Sequence, residues 1–158
     1  MDGSGRARWM EARELDLGYR TSQLRREKAL VLLSARLGLR AGEREALLER
    51  ARGYLEHRGR TQPKEPSAGS TFRNPPGDYA GRLIEAAGLK GWGSGDAQIS
   101  PLHANFVVNR GKATARDVWQ VILQAREAVL KAFGIALELE IELVGEWPTE
   151  ALEEAYGR

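Results

Sequence analysis

Apolar positions recur at helical spacing in three stretches of the chain and alternate strictly in a fourth. Val118, Val121, Ile122, Ala125, Val129, Ala132 and Phe133 fall on one stripe, the repeat of a helix with a single buried face. Thr114 followed by Asp117 makes a capping arrangement at its start, and Gly134 stands where it must stop. Residues 42–57 place Leu47, Leu48, Ala51, Tyr54 and Leu55 on another stripe and predict a second amphipathic helix. Residues 79–87 predict a third, with Leu83, Ile84 and Ala87 facing inward, Asp78 as its N-cap and Gly88 at its end. In 136–144, Leu137, Leu139, Ile141 and Leu143 alternate with Glu138, Glu140 and Glu142, which predicts a strand with one buried face.

Shorter apolar runs predict strands at 6–12, 28–37, 97–99 and 105–108. The run 28–37 is apolar enough to be buried on both faces. With 6–12 it leaves two or three strands whose partners must come from elsewhere. A short segment around 70–74 precedes Pro75-Pro76-Gly77, and Gly91, Gly93 and Gly95 form a glycine-rich turn. The stretch 59–69 carries Pro63 and Pro66 between helix and strand patterns and reads as a linker. The organisation expected is therefore 1–58, a linker at 59–69, and a self-contained domain at 70–158. The last is of the α+β class, a small, mostly antiparallel sheet with helices on one face.

Composition narrows the chemistry. The 158 residues include no cysteine, which excludes disulfides, thiolate nucleophiles and cysteine-ligated metals. His57 and His103 are the two histidines and lie far apart in sequence, so no metal ligand is assigned. Lys and Arg total 24 against 22 Asp and Glu. Arg50, Arg52, Arg58 and Arg60 cluster, but acids are interspersed, so the cluster reads as a solvated helix face and no nucleic-acid partner is expected. The longest purely apolar run, 29–33, is too short to cross a membrane. The start of the chain has no apolar signal region. A cytoplasmic location is expected. Ser70 has no nucleophile elbow around it, and the glycines at 91, 93 and 95 do not form the dinucleotide fingerprint. Pattern alone ends at an α+β domain with a foreign N-terminal piece.

Particular residues go further. SAGSTFRNPPGDYAGRLIEAAGLKG (67–91), HANFVVN (103–109) and FGIALELEIELVG (133–145) resemble the C-terminal domain of the UDP-N-acetylenolpyruvoylglucosamine reductase family. Upstream, LGYRTSQLR (17–25) resembles the part of that family's flavin domain carrying an arginine that reaches the substrate. The resemblance runs from about residue 9 to 144, and GSTFRNP is its most specific part. It implies that 1–58 is the tail of an α+β FAD-binding domain with its connecting helix, and that 70–158 binds substrate. The implied reaction reduces UDP-N-acetylglucosamine enolpyruvate to UDP-N-acetylmuramate for peptidoglycan. NADPH reduces FAD, reduced FAD delivers hydride to C3 of the enolpyruvyl group, and C2 is then protonated.

Such chemistry needs a proton donor at C2 and cationic or hydrogen-bonding groups at the adjacent carboxylate. By motif, Ser70 is the proton donor and Arg20 holds the carboxylate as a bidentate fork. Glu140 takes the second acidic role; alternation alone does not choose it over Glu138 or Glu142. Tyr19, Asn74, His103 and Arg60 are the implied substrate contacts, with Lys64 a further cation near Arg60. For Asn74 and His103 a turn bond or buried hydrogen bond serves as well. Trp92 and Trp119 read as packing residues.

Two departures accompany the resemblance. Arg20 and Ser70 lie 50 residues apart, which fits the family's shorter class, without the inserted loop that bears a substrate-contacting tyrosine. The family's nucleotide-binding loops lie N-terminal to anything here, so no cofactor-binding residue is assigned and the missing partner is an N-terminal FAD-binding half. The expectation is a chain inactive alone, with an isolated UDP-sugar-binding module as the alternative.

Overall fold

A computed structural model describes residues 1–27 and 29–156. The chain divides into two compact units, Met1–Arg44 and Glu45–Arg158. In the first, a 3₁₀ turn covers Ala12–Leu15 and a single helical turn, α1, covers Gln23–Arg26. None of its described residues is buried.

The strands predicted at 6–12 and 28–37 are not formed there. Lys28 lies outside the described residues. Val31, Leu32, Leu33 and Leu37 are exposed rather than buried on both faces. No backbone hydrogen bond links any residue from 32 to 41 among the described residues. The physical reason is pairing: an extended segment becomes a strand only when another segment satisfies its N–H and C=O groups.

Helix α2, Arg44–Thr61, belongs to the second unit from Glu45 onward; it runs four residues past its predicted end and buries nothing. Leu47, Leu48, Tyr54 and Leu55 are exposed on it. Strand β1 (Ser67–Ser70), helix α3 (Ala80–Ala86), strands β2 (Gly93–Ser94), β3 (Ala97–Ile99) and β4 (Phe106–Asn109), and helices α4 (Ala115–Phe133) and α5 (Thr149–Tyr156) follow. The sheet is antiparallel throughout, in the order β1-β4-β3-β2. Helix α4 lies across β2, β3 and β4, with α3 packed beside it.

The start of α4 forms as its sequence demands. Thr114 Oγ1 accepts the Asp117 N–H at 3.2 Å, and Asp117 Oδ2 accepts the Thr114 N–H at 2.8 Å. Gly134 ends the helix with φ of +68°, the left-handed conformation a glycine takes without steric cost. Val121, Ile122, Ala125 and Val129 are buried as the stripe requires, but Ala132 and Phe133 are exposed and Trp119 is buried instead. Trp119 packs edge-to-face on Trp147 at 6.1 Å, a tertiary partner that helical periodicity does not contain. Helix α5, not anticipated, is tied in by Arg126 donating to the Glu154 carbonyl at 2.6 Å and by Tyr156 Oη accepting the Leu143 N–H at 2.8 Å.

The 136–144 alternation is visible as burial rather than as a full strand. Leu137 and Leu139 are buried while Glu138 is exposed. Backbone pairing is confined to one bridge, Phe72 opposite Leu139.

Candidate functional site

The GSTFRNP segment passes from one strand partner to another. Ser67 pairs with Val108 and Ser70 with Phe106, so β1 carries one more residue than β4 between those points. This is a bulge. Gly69 lies within it at φ of +84°, a conformation that costs other residues more. Beyond Ser70 the chain is flanked on both sides. The Thr71 N–H donates to the Asn105 carbonyl at 2.8 Å, while the Thr71 carbonyl accepts the Glu140 N–H at 2.9 Å. The Arg73 N–H donates to the Glu138 carbonyl, also at 2.9 Å. Ser70 and Glu140, both half-buried, are thus brought onto neighbouring segments, with Glu140 opposite Thr71.

Arg73 belongs to this arrangement although motif reasoning assigned it no role. Its Nη1 lies 3.4 Å from Glu138 Oε2. Its Nε is buried with no hydrogen-bond partner among the described residues. A buried donor without an acceptor carries a desolvation cost, and an anionic ligand oxygen would relieve it. The available signal was position: an arginine three residues after Ser70 in the most specific motif.

Asn74 and Asp78 divide the capping work at α3. Tyr79, not Asp78, is the N-cap residue. Asn74 Oδ1 accepts the Ala80 N–H at 3.1 Å. The Asp78 carboxylate instead accepts the Tyr79 N–H at 2.7 Å and pairs with Arg82. The Arg82 hydrogen bond, followed by that of the Tyr79 N–H, holds the Asp78 carboxyl down at about 2. His103 Nδ1 accepts the Asn105 N–H at 3.2 Å, and its ring meets Phe106 edge-on at 5.0 Å. Arg60 lies in the last turn of α2 rather than in extended linker, and is exposed; Lys64 beyond it is exposed too.

Tyr19 and Arg20 belong to the other unit, Met1–Arg44. They form the tip of a tight turn closed by reciprocal Gly18 and Thr21 backbone hydrogen bonds of 3.1 and 3.2 Å. Arg20 has φ of +55°, a strained conformation for a residue with a Cβ and one that clusters at functional positions. Its guanidinium carbon stands 5.9 Å from the Tyr19 ring centre.

A flavin nucleotide needs backbone donors or cations around its phosphates. The glycine-rich turn of this chain does not offer that. Gly93, in β2, is paired with Gln98 of β3, and a Cβ at Gly95 would sit 2.8 Å from the Asp117 carboxylate. That negative charge, held low in pKa by its Thr114 hydrogen bonds, opposes a phosphate. The residues of this turn do not fit FAD. Among the described residues no three His, Cys, Asp or Glu side chains gather as a metal site, and no helix is long and apolar enough to cross a membrane. A cleft of about 740 Å³, bordered by Trp92, Gln124, Arg126 and Leu130, contains none of the candidate residues.

The family described as "UDP-N-acetylenolpyruvoylglucosamine reductase, C-terminal domain" matches residues 62–144. The chain belongs to this reductase family. It is 50% identical to the UDP-N-acetylenolpyruvoylglucosamine reductase of Moorella thermoacetica over 147 residues, 92% of this chain and 48% of the relative. It is 47% identical to UDP-N-acetylenolpyruvoylglucosamine reductase 2 of Symbiobacterium thermophilum, over 92% of this chain and 47% of that protein. The crystal structure of the Thermus caldophilus reductase superposes with a TM-score of 0.69 at 41% identity, covering 86% of this chain and 47% of that one. The chain therefore spans about half the length of the relatives it matches.

Proposed function

We propose that this chain supplies the substrate-binding half of a flavoenzyme that reduces UDP-N-acetylglucosamine enolpyruvate to UDP-N-acetylmuramate, a peptidoglycan precursor. The observation that carries the reading is the Phe72–Leu139 bridge, which sets 70–73 beside 138–140. It gathers a hydroxyl, a guanidinium and carboxyl groups on adjacent segments.

Ser70 is the proposed proton donor to C2. A hydroxyl is a weak acid in water, and it serves here because the developing carbanion is strongly basic and held in place. Glu140 is assigned to the substrate carboxylate, where a carboxyl must keep or share a proton, since two adjacent negative charges are costly. Arg73, with its unpaired buried Nε, is a candidate for an anionic oxygen of the substrate. Arg20 is assigned to the carboxylate by motif, and its strained turn is consistent with a functional position. Tyr19, Asn74, His103 and Arg60 are kept as substrate contacts. FAD, with NADPH as its reductant, supplies the hydride in this reading, with most of its site provided by a flavin-binding half. We place the activity in the cytoplasm, where NADPH is available.

Calorimetric titration of the chain with UDP-N-acetylglucosamine enolpyruvate tests this directly. Heat that saturates is expected. No heat at millimolar ligand sinks the substrate reading. When the chain is combined with a flavin-binding half, Ser70→Ala should keep ligand affinity and lose roughly 10²-fold or more in turnover, the contribution of a positioned proton donor.

A further inference from the structure

Asn105 holds the backbone of the GSTFRNP segment with both its side chain and its own carbonyl. It is 4% exposed. Its Oδ1 accepts the Phe72 N–H at 2.9 Å, and its Nδ2 donates to the Phe72 carbonyl at 2.8 Å. Its own carbonyl accepts the Thr71 N–H at 2.8 Å. One residue therefore meets three of the backbone groups between Ser70 and Arg73, leaving the Thr71 carbonyl to Glu140.

The geometry explains why an amide is required. Phe72 and Leu139 form the pair whose own N–H and C=O groups point away from each other, since the flanking bonds run from Arg73 to Glu138 and from Glu140 to Thr71. The Phe72 groups thus face the β4 side, but β4 begins only at Phe106. The Asn105 side chain takes the place of the absent peptide, presenting one acceptor and one donor as a strand residue would. Its placement is itself over-determined. Ser100, 1% exposed, accepts the Leu102 and His103 N–H groups on Oγ at 3.2 and 3.3 Å and donates its N–H to the Phe106 carbonyl at 2.8 Å. The Asn105 N–H is held by His103 Nδ1, and Gly81 of α3 leaves room for that ring, since a Cβ there would come within 3.1 Å of it.

We infer that Asn105 is a positioning residue, fixing 70–73 so that Ser70 and Arg73 meet the substrate in one geometry without touching the substrate itself. The inference rests on the substrate reading proposed above. Hydrogen exchange and calorimetry on the full chain test it together, with Asn105→Ala and Asn105→Asp compared with Val129→Ala, a core change remote from the segment in sequence. Asn105→Ala should speed exchange of the Phe72 amide by about tenfold or more beyond any global change, and weaken UDP-N-acetylglucosamine enolpyruvate by a similar factor, the scale of a lost buried hydrogen bond. Val129→Ala should lower stability without changing affinity.

Asn105→Asp keeps the acceptor but turns an oxygen on the Phe72 carbonyl. Both properties should recover in that variant as pH falls to about 5, when the buried carboxyl takes a proton and donates again. This arm decides the matter if the alanine variant does not fold. Exchange that rises evenly across the core, or unchanged affinity in Asn105→Ala where the wild type binds, overturns the inference and leaves the substrate reading standing. A wild type that binds nothing removes the substrate reading and the positioning role with it, while the exchange data still report whether the clamp exists.

Discussion

Met1–Arg44 and Glu45–Arg158 use similar apolar vocabulary and reach opposite outcomes. Val31, Leu32, Leu33, Leu37 and Leu39 are between 49% and 87% exposed, whereas Phe106, Val107 and Val108 are 9% exposed or less. The difference lies in hydrogen-bond closure. β4 has β1 on one side and β3 on the other, so its side chains are carried into a shared core. Contacts in the first unit lie at the surface, such as Arg8 with Glu14 at 2.9 Å, Arg36 over the Trp9 ring at 5.1 Å and the reciprocal Met1 and Val31 bonds of 2.8 Å. An apolar strand pattern is a demand for a partner, and burial follows only where the demand is met.

Paired truncations should expose this contrast most strongly. Ile122→Ala removes a side chain that is 1% exposed and should cost about 2–5 kcal/mol by urea unfolding. Leu37→Ala, at a position 77% exposed, should stay within about 0.5 kcal/mol. Equal losses at the two positions would mean that the first unit shares the core's cooperativity, and the contrast would collapse.

A smaller effect separates the two units at their caps. Thr114→Ala removes the hydroxyl that accepts the Asp117 N–H and donates to the Asp117 carboxylate at the start of α4, and should lower stability by about 1 kcal/mol. Glu14 makes a comparable bond to the Glu11 N–H at 2.7 Å, but the turn it closes contains no buried residue. Glu14→Ala should leave the thermal midpoint unmoved. A drop matching that of Thr114→Ala would show the 3₁₀ turn to be part of the cooperative unit.

The parts of the fold that sequence made legible were those whose cause is local. The α4 cap, its stop at Gly134 and most of its buried stripe are written between Thr114 and Gly134. The alternation at 136–144 correctly named Leu137 and Leu139 as the inward side chains, but how far the pairing extends depends on where Phe72 ends up. Asn105 was hidden for the same reason. It stands as one amide beside an apolar run, and its purpose lies 33 residues away at Phe72. Ser70 and Glu140 were named through the motif, and their adjacency rests on a single bridge that no spacing rule would produce. Trp119 was legible as a packing residue, but its partner, Trp147, was not, because that ring is supplied by the segment leading into α5.

The finest test concerns charge, where the two units should look alike. Glu14 is lowered below its ordinary pKa by Arg8 and then by the Glu11 N–H, Asp117 by the Thr114 N–H and hydroxyl, and Asp78 to about 2 by Arg82 and the Tyr79 N–H. A depressed carboxylate binds fewer protons folded than unfolded. Its contribution is therefore present above the unfolded value of about 4 and drains as pH falls toward the folded value. NMR titration should find all three midpoints depressed, with Asp78 near 2 in the wild type and higher in Arg82→Gln. The global consequence should differ. Protonating Asp117 loosens the cap of the helix that carries the core, so acid should narrow the gap between wild type and Thr114→Ala in unfolding experiments. Protonating Glu14 should leave the main transition where it was. If Glu14→Ala flattened the acid dependence as Thr114→Ala should, then local charge chemistry, rather than burial, would be what couples a turn to the fold.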